Sequence, residues 1–209
     1  MKNLLRDLHH QEKIFTDFLS KQPARNQNII RSAFTLAKQA HVGQKRDEGD
    51  PYFIHPLRAA IFLIKNLKIT NPDIICAALL HDVVEDAGVS LKQIRKQFGK
   101  KITILVKNLT RPRPKNETET AKKISKGRKY RAILRADKNT RLIKCADMLD
   151  NLRSMLFISK HHPTYLKFPR WLEEANKYDL PLAKKTSHAI LMEMKKALSK
   201  AKKTIRTHP

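Results

Sequence analysis

Ile74-Ile75-Cys76-Ala77-Ala78-Leu79-Leu80-His81-Asp82-Val83-Val84-Glu85-Asp86 is the stretch on which the fold turns. An unbroken apolar run leads directly into residues that are expensive to bury. Asn71-Pro72 ahead of it is a helix start: the asparagine caps, and the proline lacks an N–H that the first turn leaves unpaired anyway. Gly88 is the stop signal, so a helix is predicted over 72–87. On it, His81 and Glu85 are i,i+4, as are Asp82 and Asp86, and all four crowd one edge of two successive turns.

Helical spacing continues in both directions. Helices are predicted over 2–20, 27–41, 56–66, 91–98, 101–108, 129–136, 141–158, 163–178 and 181–203. Pro56 suits a first turn, Ser90 and Asn139-Thr140 read as caps, Gly99 ends the helix before it, and Pro181 reads as a helix start. Residues 42–54, with Gly43, Gly49 and Pro51 among charges, form a loop of functional size. Residues 111–129 carry Arg111, Lys122, Lys126 and Lys129 against only Glu117 and Glu119, and read as a basic mobile loop. The chain is therefore all-α. Its 5 glycines and 6% aromatic content would not supply the turns and strands of an all-β fold. The expected organisation is an N-terminal helix over 1–22, one domain over 23–200 and a basic tail over 201–209.

The 209 residues hold 44 Lys+Arg against 19 Asp+Glu, a formal net charge of +25. That excess implies an anionic partner: a nucleic acid, a membrane surface or a small polyphosphate steered by the field. The longest apolar run, 74–80, is far short of the roughly 20 residues that span a bilayer. The charged start Met1-Lys2-Asn3-Leu4-Leu5-Arg6-Asp7 does not read as a secretory signal, so a cytoplasmic protein without a membrane span is expected. Cys76 and Cys145 sit in apolar helical patterns and read as reduced core thiols.

Three separated segments carry the candidate chemistry. His55 precedes Pro56 at a helix start, His81-Asp82 follows the apolar run, and Asp147 lies within Lys144-Cys145-Ala146-Asp147-Met148-Leu149-Asp150-Asn151. Asp147 and Asn151 share a helix face, with Lys144 one turn earlier. Two imidazoles and two carboxylates make a mixed nitrogen and oxygen set suited to manganese, iron or zinc. On spacing alone, a helix-terminal charge pair at His81-Asp82 and a solvated Asp147 remain open. His41 reads as a packing or supporting residue, and His9, His10, His161, His162, His188 and His208 as surface residues.

The order His55, His81-Asp82, Asp147 resembles the HD superfamily of metal-dependent phosphohydrolases. Ala40-His41-Val42-Gly43-Gln44-Lys45-Arg46, Gly49-Asp50-Pro51-Tyr52-Phe53-Ile54-His55-Pro56, Ala77–Asp86 and Ile143–Arg153 together resemble the hydrolase domain of the RelA/SpoT homologue family over about residues 30–158. The resemblance implies an orthogonal helix bundle around a metal site. It also implies removal of the 3′-pyrophosphate from guanosine tetra- and pentaphosphate with manganese(II); iron, zinc or magnesium are the other divalent candidates.

The length matches a stand-alone small alarmone hydrolase, without a synthetase domain. By resemblance His55, His81, Asp82 and Asp147 hold the metal, and Glu85 and Asp86 activate the attacking water. Arg46 binds phosphate, with Asn151 and Ser154 as further substrate contacts. Lys144 is a further candidate for neutralising substrate phosphate, with a salt bridge to Asp147 or Asp150 as the equal alternative. Asp47 and Glu48 depart from the basic or small residues usual after that arginine. They keep adenine alarmones or the 2′-phosphate of NADPH open as substrates. Met148 replaces an arginine common at its position. The basic surface leaves nucleic-acid contact as the third reading, and the sequence specifies no oligomeric state.

Overall fold

The structure, a computed structural model, describes residues 3–111, 114 and 116–206. The remainder of the expected basic loop (112, 113 and 115) and tail (207–209) lies outside those residues. Two short apolar helices form the centre, α3 (Ile54–Leu67) and α4 (Pro72–Leu79). Every residue of α3 from Ile54 to Ile64 is buried, as is every residue of α4 from Ile74 onward. A helix that is apolar on all sides belongs in an interior. Each such Leu or Ile contributes about 1.5–3 kcal/mol on burial, which is what anchors the polar residues these two helices also carry.

The other helices wrap this pair. α2 (Ala24–Ala40) and α6 (Leu91–Leu109) lie against α4, and α8 (Lys138–Ser154) lies along α3. α10 (Leu180–Thr186) and α11 (His188–Arg206) pack on α8. The predicted caps at Asn71 and Ser90 form: Asn71 Oδ1 accepts from the amides of Asp73 and Ile74, and Ser90 Oγ from that of Gln93. Gly99 interrupts α6 with φ 79° and ψ −178°, at the stop signal read from the sequence.

Several expectations are corrected. The helix predicted over 72–87 is two, because the chain leaves helical geometry at Leu80, runs through a turn to Asp82, and only Val83–Asp86, α5, resumes the helix. The residues expected as a basic mobile loop over 111–129 are largely helical: α7 (Glu119–Arg135) starts on a Thr118 cap that accepts from the Ala121 amide. Lys, Arg, Glu and Ala are good helix formers, so a helix with little apolar patterning hides in what composition reads as a charged loop.

The helix expected from 141 begins at Lys138 on an Asp137 cap, and its α-helical part ends at Ser154. The stretch over 163–178 is a 3₁₀ turn, then α9 (Phe168–Glu174), then a π-helical turn, Ala175–Asp179. Pro181 lies inside the helical run that follows, and Ser187 divides the helix expected over 181–203. The N-terminal helix, α1 (Leu8–Leu19), is part of the main core: Phe15 and Leu19 are buried, and Phe15 stacks on Phe34 at 5.3 Å. Helix α11 continues into the segment expected as a tail, with Ala201 buried.

Candidate metal centre and its pocket

His55 enters from the first turn of α3, His81 and Asp82 from the break after α4, and Asp147 from the middle of α8. The break matters: leaving helical geometry at Leu80 swings His81 so that its Nδ1 meets the Ala78 carbonyl at 2.7 Å. A carbonyl can only accept, so the proton of neutral His81 sits on Nδ1 and Nε2 carries a lone pair. His55 is fixed the same way, with Nδ1 2.7 Å from the Asp150 carboxylate. The two Nε2 atoms then face one another at 3.3 Å. Asp82 Oδ2 lies 3.6 Å from His55 Nε2 and 3.3 Å from His81 Nε2. Asp147 Oδ1 lies 3.2 Å and 3.8 Å from the same two atoms.

Lone pairs and carboxylate oxygens converging on one buried point repel unless a cation lies between them. The donor set of two nitrogens and two oxygens, each nitrogen oriented through its other ring atom, fits a divalent transition metal. Without one, protons take that role. Burial disfavours a charged His81, but the Asp82 carboxylate outweighs it and pushes the imidazole up to about 9. Burial likewise opposes ionisation of Asp147, yet Lys144 and the two histidines hold it well below the usual carboxylate range.

Three residues to which the sequence reading gave no role support this centre. Asp150, which orients His55, is gripped by Arg58: Nε donates to Oδ1 at 2.7 Å and Nη2 to Oδ2 at 3.0 Å. Arg58 is 6% exposed, a lone arginine within an apolar helix, and that oddity was the signal available in the sequence. Tyr52 places its hydroxyl 3.0 Å from Asp82 Oδ2 and 3.1 Å from Asp86 Oδ2. Burial and those two carboxylates push its phenol upward, so it stays a proton donor. His41, the expected supporting residue, is buried, stacks on Tyr52 at 4.7 Å and bonds Gln44 at 2.8 Å.

The remaining predicted residues gather around the same centre. Lys144 Nζ reaches Asp147 Oδ2 at 2.6 Å, and Asn151 Nδ2 donates to Asp147 Oδ1 at 2.7 Å. Arg46 Nη2 donates to Asn151 Oδ1 at 2.9 Å, and its Nε to Glu48 Oε1 at 3.3 Å. Glu85 Oε2 accepts the Arg111 amide at 2.8 Å, tying α5 to the segment after α6. Ser154 is different. It is 1% exposed, and its Oγ accepts from Arg58 at 2.7 Å, so in this structure its hydroxyl serves the interior. Asp47 and Glu48 both line the pocket beside Arg46, and the Glu48 carboxylate bridges Arg46 to the buried Arg58.

The pocket is a cavity of about 850 Å³, within the range that holds a nucleotide-sized ligand. Its lining is mixed in charge. Asp82, Glu85, Asp86 and Asp147 come from the metal centre together with Lys144 and Arg46. Helix α7 and the segment around α9 add Lys122, Lys126, Lys129, Lys167 and Arg170, with Glu174 and Asp179 among them.

A helical bundle that aims two imidazoles and two carboxylates at one point defines a metal-centre scaffold. The chain belongs to the HD domain family, whose model matches residues 33–165. That family implies a divalent metal, and His55, His81 and Asp82 present ligand atoms within 4.8 Å of one another. Among relatives, a probable guanosine-3′,5′-bis(diphosphate) 3′-pyrophosphohydrolase of Mycoplasma genitalium is 35% identical over 162 residues, covering 70% of this chain and 22% of its own length. The Aquifex aeolicus protein of that name is 35% identical over 148 residues, 69% of this chain and 20% of its length.

A probable GTP pyrophosphokinase of Mycobacterium leprae is 36% identical over 140 residues, 65% of this chain and 17% of its length. The chain thus spans about a fifth of the length of these relatives. A solved metazoan ortholog of SpoT, described as hydrolysing ppGpp and acting in starvation responses, superposes with a TM-score of 0.73 at 24% identity. It covers 86% of this chain and 97% of its own, and shows the fold to be shared. No described helix is long and apolar enough to cross a membrane.

Proposed function

We propose that the chain is a manganese-dependent pyrophosphohydrolase that removes the 3′-pyrophosphate from guanosine tetra- or pentaphosphate, releasing GDP or GTP and pyrophosphate. The observation that carries this reading is the pair of histidine Nε2 atoms facing each other at 3.3 Å between Asp82 and Asp147. The relatives named for this reaction support it, as does a pocket that joins the metal centre to Arg46, Lys122, Lys126, Lys129, Lys167 and Arg170. A substrate with phosphate chains on both sides of a ribose suits that supply of cations.

His55, His81, Asp82 and Asp147 would hold the ion, which supplies Lewis acidity and a lowered pKa for bound water. The reaction forms one P–O bond from water and breaks the bond between phosphorus and the 3′ oxygen, which takes up a proton and leaves as the ribose 3′-hydroxyl. Glu85 and Asp86, one turn beyond the ligands, accept the water's proton, and Tyr52 keeps Asp86 turned toward the centre. Arg46 binds phosphate by its planar fork, with Asn151 setting its orientation. Lys144 balances Asp147 and stands beside the incoming charge. Ser154 acts through Arg58.

The reading is tested by chromatography of phosphate products from guanosine tetraphosphate, its adenosine counterpart and NADPH, with manganese(II) and with chelator. Chelator-sensitive pyrophosphate release, fastest from the guanosine compound, is expected. Faster release from the adenosine compound would overturn the base assignment, and chelator-resistant turnover would overturn the metal assignment.

A further inference from the structure

Residues 42–53, between α2 and α3, carry Arg46 on a small hairpin. Lys45 pairs with Pro51 across it, the Arg46 amide donates to the Asp50 carbonyl at 2.8 Å, and the Tyr52 amide donates to the Gln44 carbonyl at 2.9 Å. A hairpin of this size, with one bridge, is marginal by itself. Its tip is gripped from outside by the segment that precedes α1. Arg6 Nε lies 3.1 and 3.0 Å from the two Asp50 carboxylate oxygens, and Nη2 lies 2.8 Å from Oδ1. The same Nη2 donates to the Glu48 carbonyl at 2.7 Å.

Asp50 and Glu48 are 8% and 9% exposed, so these are bonds to groups largely withdrawn from water. Next to Arg6, the Leu5 carbonyl accepts from Arg58 Nη1 at 3.1 Å, which pins the segment to the interior. Glu48 passes the constraint inward: its backbone is held by Arg6, and its carboxylate receives Arg46 Nε at 3.3 Å.

We infer that Arg6 is a positioning residue for the proposed hydrolysis, strapping the hairpin so that Arg46 is preset toward the phosphate it binds. The inference rests on the proposed reaction for its kinetic readout, but the strap itself is a property of the apo chain. Arg6 touches no proposed metal ligand, and it meets the pocket lining only through the Glu48 backbone carbonyl, so removing it should weaken substrate binding and spare the centre. Lysine would restore the charge facing Asp50 but not the planar fork that reaches Asp50 and Glu48 together.

The test compares wild type, Arg6→Ala and Arg6→Lys by hydrogen exchange across 42–53, manganese content, and kcat and KM for guanosine tetraphosphate. In Arg6→Ala, the Arg46, Gly49 and Tyr52 amides should exchange faster. KM should rise roughly tenfold, with kcat within about twofold and manganese unchanged. Arg6→Lys should fall between. Unchanged exchange in a folded Arg6→Ala protein overturns the strap, and so does an unchanged KM. Loss of manganese together with kcat would place Arg6 in support of the metal centre and equally overturn the assignment. If wild type turns over no alarmone, the proposed reaction fails separately, and the exchange comparison alone then decides the strap.

Discussion

His55 is committed from both sides: its Nδ1–H donates to Asp150 Oδ2 at 2.7 Å, which leaves Nε2 for the centre, and Arg58 fixes Asp150 in turn. The order Arg58, Asp150, His55 is a support that tunes a ligand without being one. Asp150→Asn should therefore weaken manganese binding by about 10–100-fold in a direct titration while helical circular dichroism is retained. Undiminished affinity would remove Asp150 from the site. Glu85→Gln should keep manganese and lose about 10²–10⁴-fold in kcat, the usual worth of a proton acceptor. Loss of manganese would make Glu85 a ligand.

The four proposed ligands stood out by residue type beside apolar helical runs, and it was the resemblance to the HD superfamily that joined them into one set. Arg58 and Asp150 were not, since their meaning lies in a contact 92 residues apart in sequence. Ser154 was read as a substrate contact from its place in a motif, and only its neighbour Arg58 shows where its hydroxyl is spent.

At the level of elements, the caps at Asn71 and Ser90 and the Gly99 stop were readable from local chemistry, whereas the Asp137 cap, misread as Asn139-Thr140, and the break at residues 80–82 were not. Leu79, Leu80, Val83 and Val84 keep helical spacing straight through it, and the departure serves the placement of His81. Helix α7 was hidden for the opposite reason, being polar on most of its surface with only Ile133 fully buried. Gly99 offers a clean test of an element boundary. Its φ of 79° with ψ −178° is a conformation essentially restricted to glycine, and a Cβ there would meet nothing within 4 Å. Gly99→Ala should thus destabilise by about 1–3 kcal/mol through backbone strain alone. Thermal melting should fall by about 2–4 °C per kcal/mol, with manganese binding intact below the transition. An unchanged melting temperature would mean that α6 can straighten through this point.

Over the whole molecule, the charge of +25 and the lysines and arginines of the pocket would act together on the proposed anionic substrate. If encounter is steered, kcat/KM should drop several-fold as ionic strength rises; a flat profile would separate the surface charge from catalysis. Stability should also carry a signature of the pocket. Burial pushes the Asp179 carboxyl up to about 7, against the opposing charge of Lys144. A carboxyl that holds its proton more tightly when folded stabilises the fold below its unfolded value of about 3.9, and that contribution is lost as pH rises through about 7. The loss builds up between those two values, so Asp179→Asn should melt higher than wild type at pH 8, with a smaller gain at pH 5 and none below about pH 4.

The central claim, that one centre made by α3, the break after α4 and α8 both binds metal and hydrolyses the alarmone, is tested most directly by pairing two readings on the same samples. Bound manganese and pyrophosphate release from guanosine tetraphosphate would be measured for wild type and Asp147→Ala. Wild type should bind manganese and turn over, and the folded variant should lose both together; a folded Asp147→Ala protein that retains full metal and full turnover would contradict the account.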